Sequence, residues 1–438
     1  MSGAASARRD VLAFGIIRGA SSVVSFFGAF YLIGIGEAKS YGLYLAGFSL
    51  AVIINVFTRF GADHTMLRLS RTAGLAGGRE GASLRARVFK TWIVLWAPCM
   101  AAATAAWAAG APYGIAIFSG VLISAAVVAG RYLRACLRTR PAPLYEPPFM
   151  HLFGVGLLCL GATPEMALGL GAGLWVALCA AIFVRTMGRA APGRILRAPV
   201  FLRMRPGRLG SVYFSYSMEA AFTNGINLLI QALYGPVALA VFNTIMKLNF
   251  VTEQSQQFQR IFRVGTGRGG AAKPGAAAEK TEARAGGGGL KGRIKAFLNK
   301  LDRGRRDIGS GPVEIAFFSI ASAVGNLAIM ILLLRHNFTT VPPELFYVLL
   351  VILQTLSLAA GPAMFAILLF RSLVVANLLR IAFIASFVVF LLVAPDAPEL
   401  WALGNIGLLA IVRYVALWYW KRSAPKAGAA EAKPASRD

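Results

Sequence analysis

Four charges and a row of amides lie within stretches of this chain that are otherwise apolar enough to cross a bilayer. Arg18 stands about seven residues into the first apolar run, roughly 10 Å at helical rise, on a stripe with Ser21, Ser22 and Ser25. Farther on, Tyr216, Glu219, Thr223 and Asn227 recur at steps of three and four, with Asn224 and Gln231 alongside. Lys247 and Arg380 supply two more deep cations. A charge at membrane depth commonly costs about 2.5–3.5 kcal/mol, so it is kept where it meets water, a partner or a ligand.

Cations converging on amides and hydroxyls suit an anionic phosphate joined to sugars: guanidinium grips phosphate in bidentate fashion, and amides bond sugar hydroxyls. Arg18, Glu219, Asn224, Asn227, Lys247 and Arg380 are therefore the candidate cavity residues. Arg18 and Glu219 sit at similar depth, so they could pair and part as a cavity closes and opens. Interhelical pairs that merely hold a bundle together explain each residue singly just as well. Arg59, Arg131 and Arg134 lie near the ends of apolar runs, where topology accounts for them.

Other chemistries find no support. His64, His151 and His336 show no metal-ligand spacing, and neither a Walker A motif nor HExxH occurs. Cys99, Cys136, Cys159 and Cys179 have no CxxC spacing and lie in or beside apolar runs, as small packing residues do. No cofactor, no metal and no enzymatic activity are expected.

The elements that must position these residues are transmembrane helices. The chain is 57% hydrophobic and only 14% charged, outside the range of a soluble domain. Taking roughly 20 apolar residues per crossing, the spans fall at 11–34, 41–60, 89–109, 112–134, 148–163, 166–185, 211–234, 237–258, 313–335, 344–369, 372–394 and 398–420. The basic start runs into the first span without a small-residue cleavage site, so that span is expected to stay.

Cationic residues test the count, because cytoplasmic loops carry an excess of Lys and Arg. With these spans, most of the 45 Lys and Arg fall on one side, while Glu37, Glu165, Glu344, Asp396 and Glu399 mark the other. The expectation is an all-α polytopic membrane protein with about twelve transmembrane helices and both termini cytoplasmic. A net charge of +27 is then mostly topology, and no nucleic-acid partner is implied.

Residues 266–289 are rich in Gly and Ala with no apolar period, as a disordered linker is. After it, Leu290, Ile294, Phe297, Leu298 and Leu301 fall at helical spacing opposite Lys291, Arg293, Lys295 and Lys300. A basic amphipathic helix over 290–305 could lie on anionic membrane lipids or on the protein's own loops.

Setting YGLYLAGFSLAVIINVF (41–57) against GPVALAVFNTIMKLNFV (235–251) pairs Leu45 with Leu239, Ala46 with Ala240, Phe48 with Phe242 and Asn55 with Asn249. Both segments follow a long span after a short turn. An internal repeat of six spans plus six follows, 1–210 and 211–438, with a central cavity between the lobes.

The run GIIRGASSVVSFFGAFYLIGIG, then SYGLYLAGFSL, then FTRFGADHTMLRLSR, resembles the start of the polysaccharide (O-antigen) flippases. These belong to the multidrug/oligosaccharidyl-lipid/polysaccharide exporter superfamily. QALYGPVALAVFNTIMKL resembles the start of that family's second half, while the 266–310 insertion replaces the short loop expected there. The resemblance implies a protein of the bacterial inner membrane, with two six-helix lobes working by alternating access. It implies export of an undecaprenyl-pyrophosphate-linked oligosaccharide for cell-surface polysaccharide, with a polymerase or chain-length protein as candidate partners. A drug/cation antiporter of the same superfamily is the alternative, although the first span has Arg18 and no carboxylate. An integral-membrane enzyme or a scaffold of polysaccharide assembly remains a further class.

Overall fold

The computed structural model describes residues 21, 24–63, 65–66, 79–136, 141–188, 191–200, 207–266, 326–327, 331, 341–360, 373–394 and 397–423. Arg18, the expected linker beyond Thr266, the expected amphipathic helix over 290–305 and most of the expected span at 313–335 lie outside the described residues.

The described elements are helices, several of them joined by short turns. In chain order they are α1 (Val24–Gly34), α2 (Ala38–Phe57), α3 (Arg79–Ala108), α4 (Gly114–Ala135), α5 (Pro147–Cys159), α6 (Pro164–Met187), the short α7 (Ala191–Arg197), α8 (Gly207–Thr266), α9 (Pro343–Ala360), α10 (Leu373–Val393) and α11 (Pro398–Ser423). Six stretches among the described residues are long and apolar enough to cross a membrane, with shorter apolar helices beside them. This is the make-up of a multi-pass membrane protein, in which helices satisfy every backbone hydrogen bond without water.

Local sequence sets the helix ends. Thr163 caps α6 by accepting from the Met166 amide, Pro164 fills a first-turn position that needs no donor, and Glu165 meets the positive end of the helix dipole. Between α4 and α5 a 3-10 turn, Ala142–Tyr145, is tied down three ways. Arg134 and Glu146 form an ion pair at 2.6 Å, Trp175 Nε1 donates to the Leu144 carbonyl, and the Tyr145 hydroxyl donates to the Cys179 carbonyl. The last two reach from or into α6, so the turn fixes where α5 begins.

α3 and α5 differ in length from their expected spans. α3 begins at Arg79 instead of residue 89, because the amphipathic lead REGASLRARVFK continues the helix and buries Arg85, Val88 and Phe89. α5 has only 13 residues, about 20 Å of rise. Pro147 opens it and a turn with Gly161 at positive φ follows it.

α8 is a hairpin. Its backbone is non-helical at Gly235 (φ 88°, ψ 176°), immediately before Pro236. Asn227 and Asn243 would lie roughly 24 Å apart along a straight helix, yet Asn243 Nδ2 donates to Asn227 Oδ1 at 3.2 Å. The chain therefore folds back at Gly235, leaving a first limb 207–234 and a second limb 236–266, where two spans are expected at 211–234 and 237–258. At the same turn Gly42 of α2 faces the Pro236 carbonyl so closely that any β-carbon at residue 42 would collide with it.

Two compact units divide the chain. The first holds α1 through α8 as far as Phe262, together with residues 394–402. Inside it α2 packs on α4, α5 and α6, α3 on α4, and α5 on α6, around Tyr41, Tyr44, Ile123, Leu133 and Trp175. The second holds α9, α10 and α11 from Leu403 onward. Its core includes Phe346, Leu350, Phe387 and Ile406, with Phe383 stacked on Phe387 and Phe387 on Phe390.

Candidate functional site

Polar side chains gather inside the first unit where the hairpin meets α1, α2 and α5. On the first limb, Asn227 Nδ2 donates to the Ser49 hydroxyl of α2 at 2.9 Å, while its Oδ1 accepts from Asn243. The amide thus ties both limbs of the hairpin to α2. Asn224, one helical step away, turns back to its own helix and donates to the Ala220 carbonyl. At the limb's start, the Tyr213 hydroxyl lies 2.8 Å from the Phe57 carbonyl at the end of α2. That carbonyl, in the last turn of the helix, accepts only a long bond of 3.3 Å from the Phe60 amide, and the tyrosine hydroxyl adds a shorter one from outside.

On the second limb, Lys247 enters a pocket of neutral acceptors. Its Nζ lies 2.8 Å from the Ser25 hydroxyl and 3.1 Å from the Ser25 carbonyl, both on α1, and 2.9 Å from His151 Nε2 on α5. The face of the Tyr41 ring on α2 lies 5.2 Å from the same nitrogen, within range of a cation–π attraction. With Nε2 accepting from the ammonium, a neutral imidazole carries its own proton on Nδ1 and donates to the Tyr44 hydroxyl at 3.2 Å. Phe48 packs on the same ring, 4.9 Å between centroids. Ser25, Tyr41, Tyr44 and His151 are all buried, and Lys247 is partly buried.

The six sequence candidates are distributed unevenly over this arrangement. Asn227 and Lys247 each bridge helices within the first unit. Asn224 makes an intrahelical bond. Glu219 lies on the first limb with its side chain outside the described set, Arg18 is outside it altogether, and Arg380 is half-buried on α10 in the second unit. The second unit has a polar cluster of its own. Arg413 of α11 donates to the Ser357 hydroxyl at 2.6 Å, and Asn326 donates to Gln354 at 2.8 Å.

Sequence reasoning passed over His151, Ser25, Tyr44 and Asn243 as site residues. His151 fits no metal spacing, and among the described residues no group of His, Cys, Asp and Glu is placed to hold a metal ion. The available signal was a single imidazole inside the short apolar span expected at 148–163, which a membrane helix keeps only with a partner.

Chemically the arrangement can hold a cation, exchange its proton and make or break interhelical hydrogen bonds.

No family model matches the chain, and no curated protein matches it. Among solved structures, a chain called protein A shares the fold, with a TM-score of 0.52 at 14% identity over 94% of this chain and 96% of its own. Two crystal structures of MATE, in complex with MaD5 and with MaL6, align over 95% of this chain and 96% of theirs. Their TM-scores are 0.36 and 0.35, at 12% and 13% identity.

Proposed function

We propose that this chain is a membrane transporter of the flippase type. It moves an undecaprenyl-pyrophosphate-linked oligosaccharide from the cytoplasmic to the periplasmic leaflet by alternating access of two six-helix lobes. One observation carries the reading: the α8 hairpin is joined to α1, α2 and α5 by short side-chain hydrogen bonds through Asn227 and Lys247. A bundle that only had to stand still could make these contacts with apolar side chains at no desolvation cost. Bonds of this kind can be exchanged for water or for a ligand's phosphate and hydroxyls when helices part. The resemblance of the first two spans and of QALYGPVALAVFNTIMKL to the O-antigen flippases supplies the substrate class.

The test is reconstitution into sealed liposomes with a fluorescent lipid-linked oligosaccharide, following its protection from an impermeant quencher without ATP. Translocation above that of empty liposomes is expected. Its absence under every ion gradient would overturn the transport reading in favour of an enzyme or scaffold of polysaccharide assembly, and transport of organic cations instead would favour the drug/cation antiporter.

A further inference from the structure

The Lys247 ammonium is saturated by its surroundings. It has three N–H donors, and three acceptors receive them: the Ser25 hydroxyl, the Ser25 carbonyl and His151 Nε2. All three acceptors are neutral, and among the described residues no carboxylate bonds to this nitrogen. Among the described residues, the titratable groups facing it are His151 on α5 and Tyr41 and Tyr44 on α2, and α1 presents Ser25. A hydrogen bond of 2.9 Å between two nitrogens requires one to donate and the other to accept, so lysine and imidazole share a proton between them.

We propose that Tyr44, His151, Lys247 and Ser25 form a proton-binding latch, which holds the second limb of α8 against α1 and α5 while Lys247 is an ammonium and releases it when that proton leaves. The step balances simply: the ammonium becomes an amine and one proton passes to water. An amine has two N–H groups and a lone pair, so with His151 in the tautomer that donates to Tyr44, one of the three acceptors then faces a lone pair. The attraction to the Tyr41 ring, which needs a cation, disappears at the same moment. By reciprocity, separation of the limb hydrates the nitrogen and changes its hold on the proton, so proton binding and helix position are coupled. The latch rests on the transport reading for its purpose alone; its geometry stands without it.

Spin labels at Tyr31 on α1 and Val237 on the second limb, both exposed side chains, report the separation in a chain whose four cysteines have been replaced. Pulsed EPR distances are measured in lipid nanodiscs from acidic to alkaline buffer. In the otherwise native chain the distribution is expected to shift towards longer distances as pH rises. In Lys247→Met that response should be lost. In His151→Gln, which keeps an acceptor but cannot titrate, the response should persist with a displaced midpoint. A pH-independent distribution in the native chain, or an unchanged response in Lys247→Met, would overturn the latch. Failure of the flippase reading looks different: no oligosaccharide crosses the liposome membrane, while the pH-dependent distance shift remains.

Discussion

Asn243 donates to Asn227 at 3.2 Å across the α8 hairpin, and the two asparagines stand at equal sequence distance on either side of Gly235. One backbone position with φ 88° and ψ 176° thus sets the register of both limbs. The same asparagine, Asn227, reaches Ser49 on α2, so hairpin register and hairpin docking share one amide.

Gly235 is a position where a side chain is opposed by the backbone conformation itself. Its dihedrals lie in a region that is essentially glycine-only, with a cost of about 1–3 kcal/mol for other residues. Gly235→Ala should therefore lower the melting temperature of the purified protein. Gly225→Ala, within the first limb and facing open space, should leave it unchanged or raise it, since alanine gains about 1 kcal/mol over glycine in a helix. Equal effects of the two substitutions would contradict the hairpin turn.

The asparagine pair can be isolated with a double-mutant cycle. Asn227→Ala, Asn243→Ala and the double variant, compared by unfolding from lipid micelles, should show a coupling of about 0.6 kcal/mol, and no more than about 1.7, the range for interhelical hydrogen bonds in membranes. Asn227→Ala should be the costlier single change because it also abandons the Ser49 hydroxyl. Strict additivity would mean that the two limbs are not in contact there.

Loop charge orients the helices. In a chain lacking its native cysteines, Tyr113→Cys before α4 and Leu160→Cys after α5, both exposed, should react with an impermeant thiol reagent added outside intact cells. Leu196→Cys, exposed on the basic α7 segment, should react only after permeabilisation. Labelling of all three from the same side would refute the orientation.

Tyr145 lies in the turn between α4 and α5, where burial pushes its phenol well above the ordinary tyrosine value, with Cys179 adding to the effect. Because the folded state holds that proton more tightly, the group's contribution is complete below the unfolded value of about 10 and declines as pH rises above it. At neutral pH, Tyr145→Phe should cost about 1 kcal/mol for the lost bond to the Cys179 carbonyl. Above about pH 10 the gap between wild type and variant should narrow. A gap that stays constant on alkaline titration would show that the hydroxyl is not held in its neutral form.

The helical class and most helix positions were legible in the sequence because the length of an apolar run is a local property, set by the thickness that a helix must cross. The runs at 41–60, 112–134 and 166–185 correspond to α2, α4 and α6 for that reason. Local signals also explain where the reading slipped. An amphipathic lead lengthened α3, and a helix with proline at its start and a positive-φ glycine just beyond its end left α5 short.

Which side chains meet is a different kind of fact. The steps of three and four in the first limb placed Asn224 and Asn227 near one another, yet one bonds its own helix and the other bonds α2. Lys247 was marked as a deep cation, but its acceptors lie 96 and 222 positions away, on α5 and α1. Helical periodicity determines the face on which a residue stands. Only packing, through the fold-back at Gly235 and the close approach of Gly42 to Pro236, decides which helix that face meets.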